Sequence, residues 1–537
     1  MTRQIALVLA LVGAVSSFEQ KPRTVTVQVL AINDLHGNLE PPTGSGGKVN
    51  ATPAGGTEYL ATHLKQAEAQ NPNSILVGAG DMIGASPLLS ALFKDEPTVE
   101  ALNAMHLSVT SIGNHELDHG PEELKRRLKD AKYQYLAANV LRKGTRATLF
   151  PSTTVRTVGG VKIGFIGETL EDSPSVIAAQ SIRDLQFLEE SKVANKAAAR
   201  LERQGVHSIV LLIHQGGMQR VEKGADTDPN GCVDFQGDIA GIAEKLSPAI
   251  KVVISAHTHQ FYNCEIAGHV VTSAGSYGRL FTRINLTIDR HSDKIVSLNA
   301  KNEVVTRDVP KDPEQTAILE KYQPREKAVA DRAEGSITAS IDRRGDESGS
   351  KESALGDVVA DAQLAATQTA DQGGAVVAFM NSGGLRADLV ARDAAQGPSP
   401  VSFGDLYVVQ PFGNHLTVAT MTGAMIRELL EQQFHADGSA TILQVSDGFS
   451  YKYRLHAEQG QHVLPGSIML RGHPVADSDV LRIEASDFLM GGGDGLTAFR
   501  DAKDKLLGPA DIDALVEYFH KHSPVAPGAQ NRIERVD

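Results

Sequence analysis

Cysteine is scarce in this chain: its 537 residues contain two, Cys232 and Cys264. That excludes a disulfide-dense scaffold. It also argues against a thiolate metal site, because metal-binding thiolates come in closely spaced sets and neither cysteine has a partner nearby in sequence, although both lie near the metal-ligating motifs described below. Positive charge is short as well. Lysine and arginine number 52 against 65 acidic residues, a net charge of −13. Such a balance argues against a nucleic-acid polymer as the main partner, since that binding rests on clustered Lys and Arg. A small phosphate substrate stays open, because bound cations can supply positive charge locally. There is no internal repeat and no low-complexity tract. One apolar run stands out, Ile5 to Val15, behind Thr2-Arg3 and ahead of Ser16-Ser17. It is too short for a membrane span and reads as the core of a secretory signal peptide, residues 1–20. The polar end Gln530 to Asp537 carries no lipid-anchor signal. The expectation is an exported protein, secreted or periplasmic, without a membrane anchor. In that oxidising setting Cys232 and Cys264 are expected to form one disulfide closing a loop.

The length, with 41% apolar and 22% charged residues, fits two or more folded domains. From 24 to 310, strand-like runs alternate with helical segments such as Glu58 to Gln70, Pro121 to Ala131 and Ser191 to Gln204. Residues 311–335 are polar and helix-prone, and Pro324 predicts a kink or break in an interdomain linker. The pattern restarts over 336–537, with a helix over Leu355 to Thr367, a strand over Ala375 to Met380 and a helix over Met425 to Phe434.

Four runs rich in Val, Ile and Leu (Thr26 to Ile32, Ile75 to Ala79, Ser208 to Ile213, Val252 to Ala256) read as strands buried on both faces. Each ends by delivering polar residues to one rim, where open α/β sheets gather ligands. Asp34 and His36 follow the first, Asp81 the second, His214 the third, and His257 and His259 the fourth. Gly113-Asn114-His115-Glu116 adds a fifth cluster. Any one of these alone is an unremarkable turn or core residue; five in order, each at a strand end, point to a metal site with two cations. Asp34 and His36, two apart on a strand or strand end, point to one face. A carboxylate has two oxygens, so Asp81 can bridge. One cation then takes Asp34, His36 and His259, the other Asn114, His214 and His257. Mixed nitrogen and oxygen ligands suit Zn, Mn or similar divalent ions. Two metals about 3.5–4 Å apart activate water and support in-line displacement at phosphorus. If the chain after Gly113 turns helical, Asp118 meets His115 and keeps its imidazole oriented and protonated, ready to stabilise the phosphate or protonate the leaving oxygen. His63, His106, His119 and His207 lack such placement.

The order Asp-x-His, Gly-Asp, Gly-Asn-His-Glu, His-Gln-Gly-Gly, Ala-His-x-His resembles the calcineurin-like metallophosphoesterases, with Ala256 where the last motif usually has glycine. With the second half included, nearly the whole chain resembles secreted two-domain 5′-nucleotidases. The resemblance implies a four-layer α/β/β/α metallophosphoesterase domain holding two divalent metals, followed by a smaller α/β domain that binds the nucleoside. It implies polar substrate contacts from Asn381 and Arg386, a base clamp of Phe412 and Phe488 with Asn414 hydrogen-bonding the base, and ribose hydroxyls held by Asp494. It also implies a phosphate-binding arginine just before Leu355. Ser348 to Glu352 contains none, and Arg343, Arg344 and Lys351 stand as alternatives. The activity implied is release of phosphate from nucleoside 5′-monophosphates or related nucleotides. Two other readings remain: a sulfur-ester hydrolase like the thiosulfohydrolases that resemble the same family, which the Phe pair disfavours, and a silent extracellular binding protein, which the intact ligand set disfavours. Asn50-Ala51-Thr52 and Asn285-Leu286-Thr287 fit the glycosylation pattern.

Overall fold

The computed structural model describes residues 22–178, 180–222, 225–345, 349–392, 397–435 and 438–537; the expected signal peptide, residues 1–20, lies outside them. The first domain is built on two six-stranded sheets. In one, the strand Thr24–Ile32 pairs in parallel with Ser74–Ala79, which pairs in parallel with Leu107–Ser111, and that with Gln134–Leu136. Leu280–Asp289 and Lys294–Val304 extend the sheet antiparallel on the other side. In the second sheet, Ser208–His214 lies between Val161–Thr169 and Ile250–Ile254, parallel to both.

The sheets face each other through Val27, Val29, Phe165, Val210, Leu212 and Ile254. Helices cover the outer faces. Thr57–Gln70 buries Leu60, Ala61, Leu64 and Ala67, an i, i+1, i+4, i+7 stripe, against the first sheet. Glu190–Arg203 lays Ala194, Ala198 and Leu201 on the second, and Glu189 caps it by accepting the Lys192 N–H. Because both faces of each sheet are covered, the central strands are apolar throughout. This is the expected α/β/β/α layering.

Asp312 caps the helix Pro313–Ala330, accepting the N–H groups of Glu314 and Gln315. The helix runs through Pro324, where the sequence predicted a kink or break between domains. A proline inside a helix costs about 3 kcal/mol, and packing on both sides of it offsets that cost. Before Pro324, Ile318, Leu319 and Tyr322 pack on Leu39 and Leu89. After it, the Arg325 guanidinium lies 4.8 Å from the centre of the Phe93 ring. Tertiary contact thus overrides the local signal.

The second domain centres on a five-stranded sheet in the order Gln444–Val445, Val377–Met380, Val480–Ser486, His415–Thr422, Lys503–Ala510. Phe379, Leu429, Tyr451 and Phe499 fill one face. The helices Ala354–Ala365 and Asp511–His522 cover the other through Leu355, Val359, Leu515 and Phe519. Cys232 and Cys264 are bonded to each other, with Cα atoms 5.2 Å apart. Among the described residues, no helix is long and apolar enough to cross a membrane.

Candidate metal centre

The parallel strands of both sheets end at one rim, and the five polar clusters meet there. Backbone conformation does much of the aiming. Asp34 and His36 (φ 47° each), Asp81 (51°), His257 (71°) and His259 (57°) all sit in the left-handed region. L-residues pay roughly 1–2 kcal/mol each to be there, and such strain gathers at functional sites. One expectation is corrected by this geometry. The strand ends at Ile32, so Asp34 and His36 converge through two left-handed residues and not through strand alternation.

Three groups of side chains lie close enough to share an ion: Asp34, His36 and His259; His36, Asp81 and His115; Asp81, His214 and His257. His36 Nε2 lies 3.0 Å from His259 Nε2 and 3.5 Å from Asp81 Oδ2. His214 Nε2 lies 3.0 Å from the same Asp81 oxygen and 3.2 Å from Asn114 Oδ1. His257 Nδ1 is 3.1 Å from Asn114 Oδ1.

The tautomers test whether cations fit. His36 Nδ1 is 2.8 Å from the Gly84 carbonyl, and His214 Nδ1 is 2.8 Å from the Ala79 carbonyl. A carbonyl only accepts, so each Nδ1 carries a hydrogen, and in the neutral ring each Nε2 then presents a lone pair. Those lone pairs face carboxylate and amide oxygens, which are acceptors as well. Acceptors converging at such distances suit divalent cations. Burial pushes the His36 and His259 imidazoles well down and His257 to about 3, which keeps them neutral as ligands must be. His214 is the exception: burial opposes its charge, but the Asp81 carboxylate beside it prevails and lifts it to about 9.

Two residues hold these loops without being ligands, and the sequence reading gave neither a role. Glu116 Oε2 accepts the N–H groups of Asp81 (2.9 Å) and Gly113 (2.6 Å), and Oε1 accepts that of Met82 (2.8 Å). The Asp81 loop and the Asn114 loop are thereby stapled together. They approach so closely that a Cβ on Gly113 would lie 2.1 Å from Asp81 Oδ1. Asn33 donates to Asp34 Oδ2 and to the Gly275 carbonyl, 2.7 Å each. Asn33 adjoins Asp34, and Glu116 lies two residues after Asn114 in the same motif; that proximity was the available signal.

His115 opens a single 3-10 turn, His115–Leu117. Its Nδ1 lies 2.9 Å from Asp118 Oδ2, the pairing the spacing anticipated. Burial works against its charge, but Asp118 and then Asp81 outweigh burial, so its pKa stands above the ordinary value.

The second domain brings its own groups to this rim. The Phe412 ring stacks on His115, centroids 5.7 Å apart and planes at 24°. The Arg386 guanidinium lies 5.6 Å from the centre of that Phe ring. Arg386 Nε and Nη2 are buried without a hydrogen-bond partner. Asn381 Nδ2 donates to Asp494 Oδ2 at 2.7 Å. The Asn414 carbonyl accepts the Asp511 N–H at 2.8 Å. Phe488 is half-buried against the core of its domain and makes no ring contact with Phe412. Gly493 passes so near it that a Cβ would meet the Phe488 ring at 2.4 Å.

The calcineurin-like phosphoesterase family model matches residues 27–261, and that of the 5′-nucleotidase C-terminal domain matches residues 330–501. The chain belongs to the 5′-nucleotidase family. Family members are phosphoric monoester hydrolases that use divalent metals. The chain is 32% identical to the cell wall protein Lmo0130 of Listeria monocytogenes, over 92% of this chain and 67% of that one. It is 31% identical to the endonuclease YhcR of Bacillus subtilis, over 95% of this chain but 41% of that protein's length. In fold it is similar to the 5′-nucleotidase precursor of Thermus thermophilus, with a TM-score of 0.79 at 23% identity, covering 96% of this chain and all of the other (100%).

Proposed function

We propose that this 5′-nucleotidase-family hydrolase releases phosphate from nucleoside 5′-monophosphates at a centre of two divalent cations, Zn, Mn or similar. Asp34, His36 and His259 would hold one cation and Asn114, His214 and His257 the other, with Asp81 within reach of both sets. The observation that carries the reading is the Arg386 guanidinium. It presents two buried, unpartnered N–H groups within the same cleft as the metal-ligating cluster. Buried donors go unpaired at real cost, and a phosphate oxygen is the partner that guanidinium geometry suits. Bound cations supply Lewis acidity and lower the pKa of water. Arg386 orients the phosphoryl group. His115, kept charged by Asp118, stabilises the phosphate or gives its proton to the departing ribose oxygen. Phe412 and Phe488 sandwich the base, Asn414 hydrogen-bonds its edge, and Asp494 with Asn381 holds the ribose hydroxyls.

In this reading residues 24–310 form the catalytic domain, 311–335 the linker and 336–537 the substrate domain. Export is supported by the basic, apolar and small-residue order of residues 1–20 and by the bonded cysteines. The test is phosphate release from AMP by the metal-loaded protein, with and without chelator, beside a thiosulfonate ester. Chelator-sensitive release from AMP supports the reading. Turnover of the sulfur ester alone makes the protein a sulfur-ester hydrolase, and turnover of neither makes it a binding protein.

A further inference from the structure

A buried ion pair outside the ligand set takes no part in the proposed chemistry. Arg127 Nη1 donates to Asp95 Oδ2 at 2.5 Å, with the Asp95 side chain 1% exposed and that of Arg127 14%. Asp95 belongs to none of the three groups able to share an ion. The cost of taking two charges out of water largely cancels their attraction, so stability alone does not account for the pair. What the pair holds is the better guide. Asp95 Oδ1 accepts the Ser86 hydroxyl at 2.5 Å, and the Asp95 N–H donates to the Ser90 carbonyl at 2.9 Å. The Ser90 hydroxyl donates in turn to the carbonyl of Gly37, the residue after His36, at 2.7 Å. Arg127 ends the helix Pro121–Arg127, so the pair ties this segment to the helix behind the His115–Asp118 turn.

Ser86 ends a strained turn. The chain leaves Asp81 through Gly84 (φ 88°) and Ala85 (φ 48°), both left-handed. Glycine takes that region freely, but alanine does not, and such a residue persists only where its surroundings over-determine it. Ala85 offers no ligand atom of its own. The turn it completes aims the Gly84 carbonyl at His36 Nδ1, 2.8 Å away. That contact fixes the tautomer and direction of the ring, as partners behind a metal-ligating histidine do. The turn has little slack on either flank. A Cβ on Gly84 would lie 2.5 Å from the His115 carbonyl oxygen, and one on Gly37 would lie 2.5 Å from Ser86 Oγ. Glu116 grips the near end of the loop through the Asp81 and Met82 N–H groups. Asp95 grips the far end through Ser86.

We infer that Asp95, braced by Arg127, is a positioning residue for the metal centre: through the Ser86 hydroxyl it holds the Gly84 carbonyl against His36 Nδ1 and so keeps His36 Nε2 aimed at its cation. The inference rests on His36 being a ligand, as in the proposed function. It gives Asp95 an effect on one cation and not on both. His36 acts with Asp34 and His259. His214, in the other set, has its Nδ1 held by the carbonyl of Ala79, a strand residue ahead of the loop. Asp81, within reach of both sets, has its backbone held by Glu116 and not by Asp95. Loss of the brace should therefore loosen the cation of Asp34, His36 and His259 and spare that of Asn114, His214 and His257.

The test is binding of Mn²⁺ to the metal-free full chain by calorimetry, in wild type, S86A, D95N and R127K. S86A removes one hydroxyl and leaves the ion pair whole. Thermal unfolding of the metal-free proteins reads any change in the fold separately. S86A and D95N should weaken one of the two cations about tenfold, the scale for a partner behind a metal ligand, and leave the other within about twofold. R127K keeps a charged donor to Asp95 and should keep both affinities. A loss of metal-free stability in S86A and D95N with both cations bound as in wild type makes Asp95 a structural residue and overturns the inference. An equal loss at both sites overturns it too. Cation binding is read apart from turnover, so a wild-type protein that binds two cations yet leaves AMP intact would count against the proposed function and not against the role of Asp95.

Discussion

Glu116 accepts the backbone N–H of Asp81 at 2.9 Å, and it holds the Gly113 N–H through the same oxygen. Neither carboxylate sits where it does by chance of strand ends alone. Glu116→Gln keeps the shape but turns an N–H₂ toward N–H donors. It should lower folding stability by about 1–3 kcal/mol, the cost of buried donors left unpaired. It should also weaken cation binding, because the Asp81 and Asn114 loops lose their staple. Thermal denaturation and metal titration read the two effects separately. Full cation affinity in a destabilised protein would confine Glu116 to folding.

Asp81→Ala should remove more metal than any other single change, since Asp81 lies within reach of His36 on one side and His214 on the other. Elemental analysis of the purified variant should find neither site filled, and hydrolysis should cease. A metal count of two would end the bridging assignment.

The pH profile should report His115. Its pKa is raised above the ordinary value, with burial outweighed by Asp118 and Asp81. A raised imidazole pKa contributes stability that is fully present below the unfolded pKa and lost as pH rises through the folded one. Activity that needs the charged ring follows the same direction, falling on the alkaline side. Asp118→Asn removes the largest upward contribution and should move that alkaline limb to lower pH. His115→Ala should cut turnover about 10²–10⁴-fold with metal content kept. An unmoved limb in Asp118→Asn would assign it to another group.

Phe412→Ala should cost about 1–3 kcal/mol in kcat/KM for AMP, the worth of one stacked base. Ribose 5-phosphate, which has no base, should lose much less. Equal losses would mean that Phe412 acts by supporting His115, on which its ring stacks.

Much of this site was legible because periodicity and punctuation agree in the first domain. Buried parallel strands are largely apolar, and the polar residues that follow each mark the rim. Asp34, Asp81, His214 and His257 were found that way. Glu116 and Asn33 were not given roles, because a residue that holds a loop by accepting backbone N–H groups has no spacing rule. The course of the chain at Pro324 was hidden for another reason. A helix carried through proline depends on Phe93, Leu39 and Leu89, which are distant in sequence. Arg343 and Arg344 could be named as alternatives for one phosphate contact. Their place in a cavity beside His257 and His259 depends on how the two domains meet.

The left-handed backbone of Asp34, His36, Asp81, His257 and His259 bears on how such a protein ages in evolution. Glycine at any of these positions would relieve roughly 1–2 kcal/mol of torsional strain and give back about 0.5–1 kcal/mol to the freedom of the unfolded chain. The fold itself therefore gains little from the residues that make it reactive. In a lineage freed from the need to hydrolyse its substrate, these five would be among the first to drift. The surrounding strands, buried on both faces, would stay recognisable long after the chemistry had gone.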